Sequence, residues 1–193
     1  MTDLYKLVNL DARFPNDDDA QSVENYLPYI GRPSQDLSSY EQFMDELMVS
    51  YDDLGVMYEE DGEDYEEIMG MTREDLVNRL NEVVSPNVKN IYTAIDYPLS
   101  RPANFKFTIE DNLDVTYGFL LYTYSVAYQI VCDIEDKEDG DPGTIPGLLN
   151  RAQSNGQFGI WGHGIGDLVY NGSSNVSVSN SGEDVWCYFD VDS

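Results

Sequence analysis

Between Met44 and Met71 the chain carries 11 acidic residues and neither Lys nor Arg. Acid pairs at Asp45–Glu46, Asp52–Asp53, Glu59–Glu60 and Glu66–Glu67 recur every seven residues, and Asp61, Glu63 and Asp64 fill the interval before the last pair. Tyr51, Tyr58 and Tyr65 each stand directly before a pair. Carboxylates in this density suit three kinds of chemistry: acid/base catalysis, binding of a hard cation, or presentation of a negative field to a basic surface.

The first two find little support. Glycosidase-type catalysis needs one particular pair of carboxylates in a defined geometry, and with 37 acids in the chain no pair stands out. No P-loop, G-x-S-x-G or H-E-x-x-H pattern is present, so an enzyme is not expected and no catalytic residue is assigned. A calcium loop of the EF-hand type needs oxygen ligands at its first, third and fifth positions, Gly at the sixth and Glu at the twelfth. Aligned on Gly62 it begins with Met57; aligned on Gly140 it has Lys137 third and Pro146 twelfth. Asp133 to Asp141 suits at most loose calcium binding. The one histidine, His163, lies in the run Trp161-Gly-His-Gly-Ile-Gly-Asp167. It suits a base or a metal ligand beside Asp167 or a cysteine, or else a tight glycine turn with the imidazole bonded to backbone. No second His completes a usual metal set, and the turn is the expected reading. Cys132 and Cys187 lie in apolar runs, where buried free thiols are the default. No metal and no cofactor is expected.

The third chemistry fits the spacing. Seven residues are nearly two helical turns, so the pairs share one face and recur about every 10.5 Å along a helix. Solvated helices usually mix signs, because like charges four apart destabilise by roughly 0.2–0.5 kcal/mol. Gly55 and Gly62 would each cost about 1 kcal/mol inside a helix. The run is therefore either one continuous helix or two helices with a loop over Glu59–Asp64. A DNA duplex carries a phosphate about every 1.7 Å of its axis, and rows of carboxylates approximate such a field over a short length. Tyr58 and Tyr65 beside the acids would stack on Arg or aromatic side chains of a partner. The candidate partner-binding set is thus Asp45, Glu46, Asp52, Asp53, Tyr58, Glu59, Glu60, Asp61, Glu63, Asp64, Tyr65, Glu66 and Glu67. The competing reading is a solvated helix face with no partner.

Composition points the same way. The 193 residues suffice for one domain with a real core, and 41% apolar content fits a folded chain. A net charge of -27 repels nucleic acid and anionic membrane, and favours basic protein surfaces. An acidic surface also suits a salt-adapted protein, but 15 Tyr, abundant Asn and scarce Ala do not. The segment MTDLYKLVNLDARF lacks the basic and apolar regions of a secretory signal, so a cytoplasmic location is expected, in a host cell if the chain is phage-encoded. The uncharged run Val115–Cys132 is as long as a short membrane span, but its tyrosines and acidic flanks mark a buried segment.

The elements that must position these groups divide by period. Residues 20–96 are expected to be helical. Ala20 to Ile30 forms a short helix. Ser38 with Glu41 makes a capping box for a helix with Phe43, Leu47, Tyr51, Leu54 and Tyr58 inward. Thr72 with Asp75 caps a second, and Ser85-Pro86 opens a third lined by Val88, Ile91, Tyr92 and Ile95. From 104 to 193 the period is two. Phe105, Phe107 and Ile109 mark one strand, Tyr122 to Ile130 a long one (a buried helix being the other reading of that run), and Val176, Val178, Val185, Cys187, Phe189 and Val191 the closing ones. Asp136 to Pro142 reads as an acidic loop, Ile145 to Ala152 as a short helix, and Asn171-Gly172 and Ser181-Gly182 as turns. The expected fold is a single α+β domain, an N-terminal helical half packed on a C-terminal, mainly antiparallel sheet.

The functional expectation is an acidic, non-enzymatic inhibitor that occupies a basic, nucleic-acid-binding surface of a partner protein. In charge and size alone it resembles the nucleic-acid mimics that phages use against host defence nucleases and repair enzymes. The alternatives are an assembly component, such as a phage particle protein, and an immunity protein against a basic nuclease toxin. The oligomeric state is left open.

Overall fold

The computed structural model describes residues 5–7, 20–30, 39–62, 64, 66–67, 70–139, 143–144, 152–162 and 168–192. Strands β1 (Tyr5–Leu7) and β2 (Ala20–Ile30) precede helices α1 (Tyr40–Glu60) and α2 (Arg73–Leu80). A hairpin of β3 (Val83–Ile95) and β4 (Ala103–Thr116) runs directly into helix α3 (Tyr117–Asp139). The short strands β5 (Gly143–Thr144), β6 (Ala152–Gln153) and β7 (Trp161–Gly162) follow, then the long strands β8 (Val169–Ser179) and β9 (Asp184–Asp192). The class is α+β.

The main sheet has six strands in the order β1-β4-β3-β9-β8-β2. All neighbours are antiparallel except β3 and β9, which run parallel with Ile91 opposite Val185 and Thr93 opposite Cys187. A second, three-stranded sheet is β5-β6-β7. Alternation sets the inner face: Ile91, Ile95, Phe105, Val185, Cys187 and Phe189 are buried, while Tyr92, Lys106, Trp186 and Tyr188 between them are half-buried. Helix α3 lies against that inner face. Tyr124 meets Phe189 with ring centroids 5.4 Å apart, and Tyr128 at 5.3 Å. Helices α1 and α2 pack on α3 and contribute Phe43, Leu47, Tyr51, Leu76 and Leu80 to the same core.

Three elements differ from the sequence expectation. Tyr122 to Ile130 belongs to α3, not to a strand. The alternating tyrosines imitate period two only because apolar residues occupy every face; Leu120, Leu121, Tyr124, Ala127, Tyr128 and Val131 are all buried at helical spacing. An uncharged run this long exceeds the usual strand, and length decides such cases. Ser85 to Ile95 lies in β3, not in a third helix. Its Val, Ile and Thr residues favour a pleated surface. Pro86 sits where the β3–β4 register shifts, beside Asn87 at φ 55, a place where its missing N–H breaks no ladder bond. Ala20 to Ile30 forms β2, not a short helix, with a register shift between Tyr26 and Tyr29 that takes in Pro28. Smaller differences follow the same lines. Asn171 and Gly172 lie within β8 at an irregularity between Tyr170 and Ser174, not at a turn. Asp136 to Asp139 completes α3 and Ala152 opens β6, while the rest of those two predicted segments falls outside the described residues. The run Val115–Cys132 is buried as expected, and among the described residues no helix is long and apolar enough to cross a membrane.

Candidate partner-binding surface

Helix α1 carries the acidic pairs, and its start is built locally. Ser39, one residue after the expected cap, accepts a hydrogen bond from the Gln42 backbone N–H at 3.1 Å. The helix continues through Gly55 to Glu60, so the first three pairs share one unbroken helix. It ends at Asp61, and Gly62 takes a left-handed φ of 82°, the conformation that favours glycine after a helix. Beyond this turn the Asp64 carboxylate accepts from the Glu67 N–H at 3.2 Å, and residues 66–67 are helical. Glu63 and Tyr65 lie outside the described residues.

The heptad now has a physical reason. Tyr51 is buried and donates its hydroxyl to the Met71 carbonyl at 2.8 Å. Tyr58 and Leu54 are half-buried against the core. The tyrosine of each block on α1 is therefore a packing residue, and the two acids after it turn outward. Asp45, Glu46, Asp52, Asp53, Glu59, Glu60, Asp61, Asp64, Glu66 and Glu67 are all exposed. Tyr58 packs partly on the core and also lines the groove beside the acids. Burial first, then the carboxylates of Glu66, Asp52 and Asp75, push the Tyr51 phenol above its ordinary value, with Arg73 opposing. The fourth acid pair thus stays electrostatically close to the helix that carries the other three.

At about 100° per residue, the acids of α1 form two rows. Asp45, Asp52 and Glu59 make one; Glu46, Asp53 and Glu60 make the other, roughly a quarter-turn away. Between the rows lie Val49 and Val56, exposed to 59% and 58%, and beside the second row Met57 is 51% exposed. Sequence reasoning missed this ridge. The signal was available: Val49 and Val56 are themselves seven apart and out of phase with the tyrosines.

A groove of about 730 Å³ borders one side of α1, lined by Asp45, Glu46, Val49, Asp53, Met57 and Val169 among others. On the opposite side Asp52, Glu59, Asp64 and Glu66 surround Arg73 in a second hollow of about 780 Å³. Arg73 bonds Asp52 at 2.9 Å, both groups being half-exposed. This pair sets one cation against the Asp52 carboxylate of the acidic run. Gln42 donates to Glu46 at 2.7 Å without changing its charge.

The other residues singled out from sequence lie elsewhere. His163 and Asp167 are outside the described residues. Cys187 is buried and Cys132 half-buried, both unpaired. Burial pushes each thiol up to about 12, with Asp136, Asp133 and Glu135 adding to the shift at Cys132, so neither is poised as a thiolate nucleophile. Among the described residues, no group of three or more His, Cys, Asp or Glu is arranged to hold a metal ion. Compared with protein-family models, with curated proteins and with solved structures, the chain finds no match.

Proposed function

We propose that this protein is an acidic binding protein whose α1 face occupies a basic, nucleic-acid-binding surface on another protein, and that it works by occupancy rather than by chemistry. The observation that carries the reading is the exposure of three carboxylate pairs on one continuous helix that itself holds neither Lys nor Arg. Their density is about one carboxylate per 5 Å of helix axis, of the same order as the one phosphate per 3.4 Å of a single DNA strand. A cationic groove that holds a phosphate backbone would feel a comparable field. Glu66, Glu67 and Asp64 extend that field past the end of the helix. An inhibitor of a nuclease or another nucleic-acid-binding protein, of the kind phages deploy against host defences, is the biological role this surface suits.

The test is neutralisation of the rows. A variant with Asp45, Asp53, Glu59 and Glu60 changed to Asn or Gln loses like-charge repulsion, so its melting temperature holds or rises. Its association with a captured basic partner slows by about tenfold or more, while dissociation changes less. An equal number of acids neutralised on and just before β9, such as Glu183, Asp184, Asp190 and Asp192, has a smaller effect. Equal loss in both sets would mean that net charge alone drives binding. No loss in either would leave α1 as a solvated face and transfer the case to an assembly role.

A further inference from the structure

The exposed Val49, Val56 and Met57 are not explained by a surface that mimics phosphates alone. Large apolar side chains scattered singly over a surface need no explanation, and Val83, Leu113 and Trp161 are of that sort. Val49 and Val56 differ because they repeat at seven residues on one helix and stand between two rows of carboxylates. An apolar stripe with that period on a helix matches the knobs of a second helix lying nearly parallel to the first, at a crossing angle of about 20°. The flanking residues then select the charge of that helix, as charges beside a coiled-coil seam select partners. Here the flanks are acidic on both sides, so the second helix must be basic on both sides of its own apolar stripe.

We propose that the occupant of the α1 face is a basic amphipathic helix of the partner protein, with aliphatic side chains seated between Val49, Val56 and Met57 and Lys or Arg reaching both carboxylate rows. This rests on the reading that α1 meets a basic protein surface, and it specifies which element of that surface is engaged. The face from Asp45 to Glu60 is about 24 Å long, which accommodates roughly four turns of a helix. The groove beside Met57 and Val169 gives room for a bulky side chain at one edge of that helix. A second copy of this chain is excluded as the occupant of this face by charge, since its own α1 presents the same acids. Basic helices that insert into a DNA groove meet the same requirements: cations toward phosphates, with small apolar contacts between them.

The experiment uses the full chain and two fluorescently labelled synthetic helices of equal positive charge. In the first, two Leu seven apart lie between rows of Lys and Arg; in the second, both Leu are replaced by Gln. Fluorescence anisotropy should give about tenfold tighter binding for the Leu helix at about 0.15 M salt, with the advantage persisting as salt is raised and charge is screened. Val49→Ser with Val56→Ser should abolish that advantage and leave binding of the Gln helix unchanged. Both positions are exposed and Ser has a helix propensity similar to Val, so the variant folds; a thermal melt checks this. Equal binding of the two helices, or an advantage that survives the double variant, overturns the helix proposal and leaves the charge-based reading standing. Failure of both helices to bind even at low salt overturns the charge-based reading, and the helix proposal falls with it.

Discussion

Glu135 is the one carboxylate of the described residues that is wholly buried, and it shows what this chain does with an acid it keeps inside. It projects from α3 into the loop before β7, where the Ser154 hydroxyl and the Phe158 and Gly159 N–H groups donate to it. Glu138, one turn on, accepts from the Gln157 N–H at 2.6 Å. Burial alone would raise the Glu135 carboxyl, but the bonds from Ser154, Phe158, Gly159 and Gly156 outweigh it and hold the group below its ordinary value. A carboxyl depressed in the folded state stabilises above its unfolded value and loses that contribution as pH falls through the folded one. Glu135→Gln should therefore cost about 2–3 kcal/mol at neutral pH in urea unfolding, through loss of charge-assisted bonds. The difference from wild type should shrink as pH falls below about 4.3, the ordinary glutamate value; a gap that stayed constant with pH would contradict an ionised Glu135. Gly156 gives a sterically independent test: a Cβ there would come within 2.7 Å of the Glu135 carboxylate, so Gly156→Ala should destabilise the same loop.

Among the elements, the three helices meet closely at one glycine. Gly118, in the first turn of α3, would with a Cβ meet the Tyr40 hydroxyl at 2.7 Å, the Met44 sulfur at 3.0 Å and the Leu80 carbonyl at 3.1 Å. One of these belongs to α2 and two to α1, and the carbonyl cannot move without the helix. Gly118→Ala should cost about 1–3 kcal/mol by overpacking, read as a lower denaturant midpoint with an unchanged slope. How much of this was legible in the sequence varied by element. The inward residues of α1 and the Thr72–Asp75 capping box, formed with the Asp75 carboxylate 2.8 Å from the Thr72 hydroxyl, followed from spacing and local chemistry. The strands at Phe105–Ile109 and Val185–Val191 followed from alternation with a polar outer face. Tyr122–Ile130 and Ser85–Ile95 did not, because a helix apolar on most faces carries no period and a β-branched strand interrupted by Pro and Asn carries a false one. The acidic rows were visible as spacing, and the ridge between them was legible in the same way from Val49 and Val56, while its continuity depended on α1 passing through Gly55 unbroken.

At the scale of the whole molecule, the net charge of -27 acts on every state of the chain. Self-repulsion at neutral pH falls with salt, so the melting temperature should rise by about 5 °C or more between about 10 mM and 0.5 M NaCl. A flat response would mean that the surface acids are compensated in ways the described ion pairs do not suggest. Acidification toward the sequence pI of about 4.1 removes the same repulsion until the Glu135 bonds begin to fail, which places the stability maximum on the acid side of neutrality. The strand order adds a constraint of another kind. The strands β8 and β9 lie between β3 and β2, so the segment that completes the sheet is made well after the strands it joins. Before residues 169–192 emerge, β2 has no described strand partner and β3 lacks its parallel neighbour. Closing loops of such length slows folding, and exposed strand edges invite pairing with other chains in the interval. A nascent chain that is strongly anionic from its first acidic pairs onward repels its neighbours on the same polysome throughout that wait, so the same charge, apart from any role in recognition, would guard its synthesis.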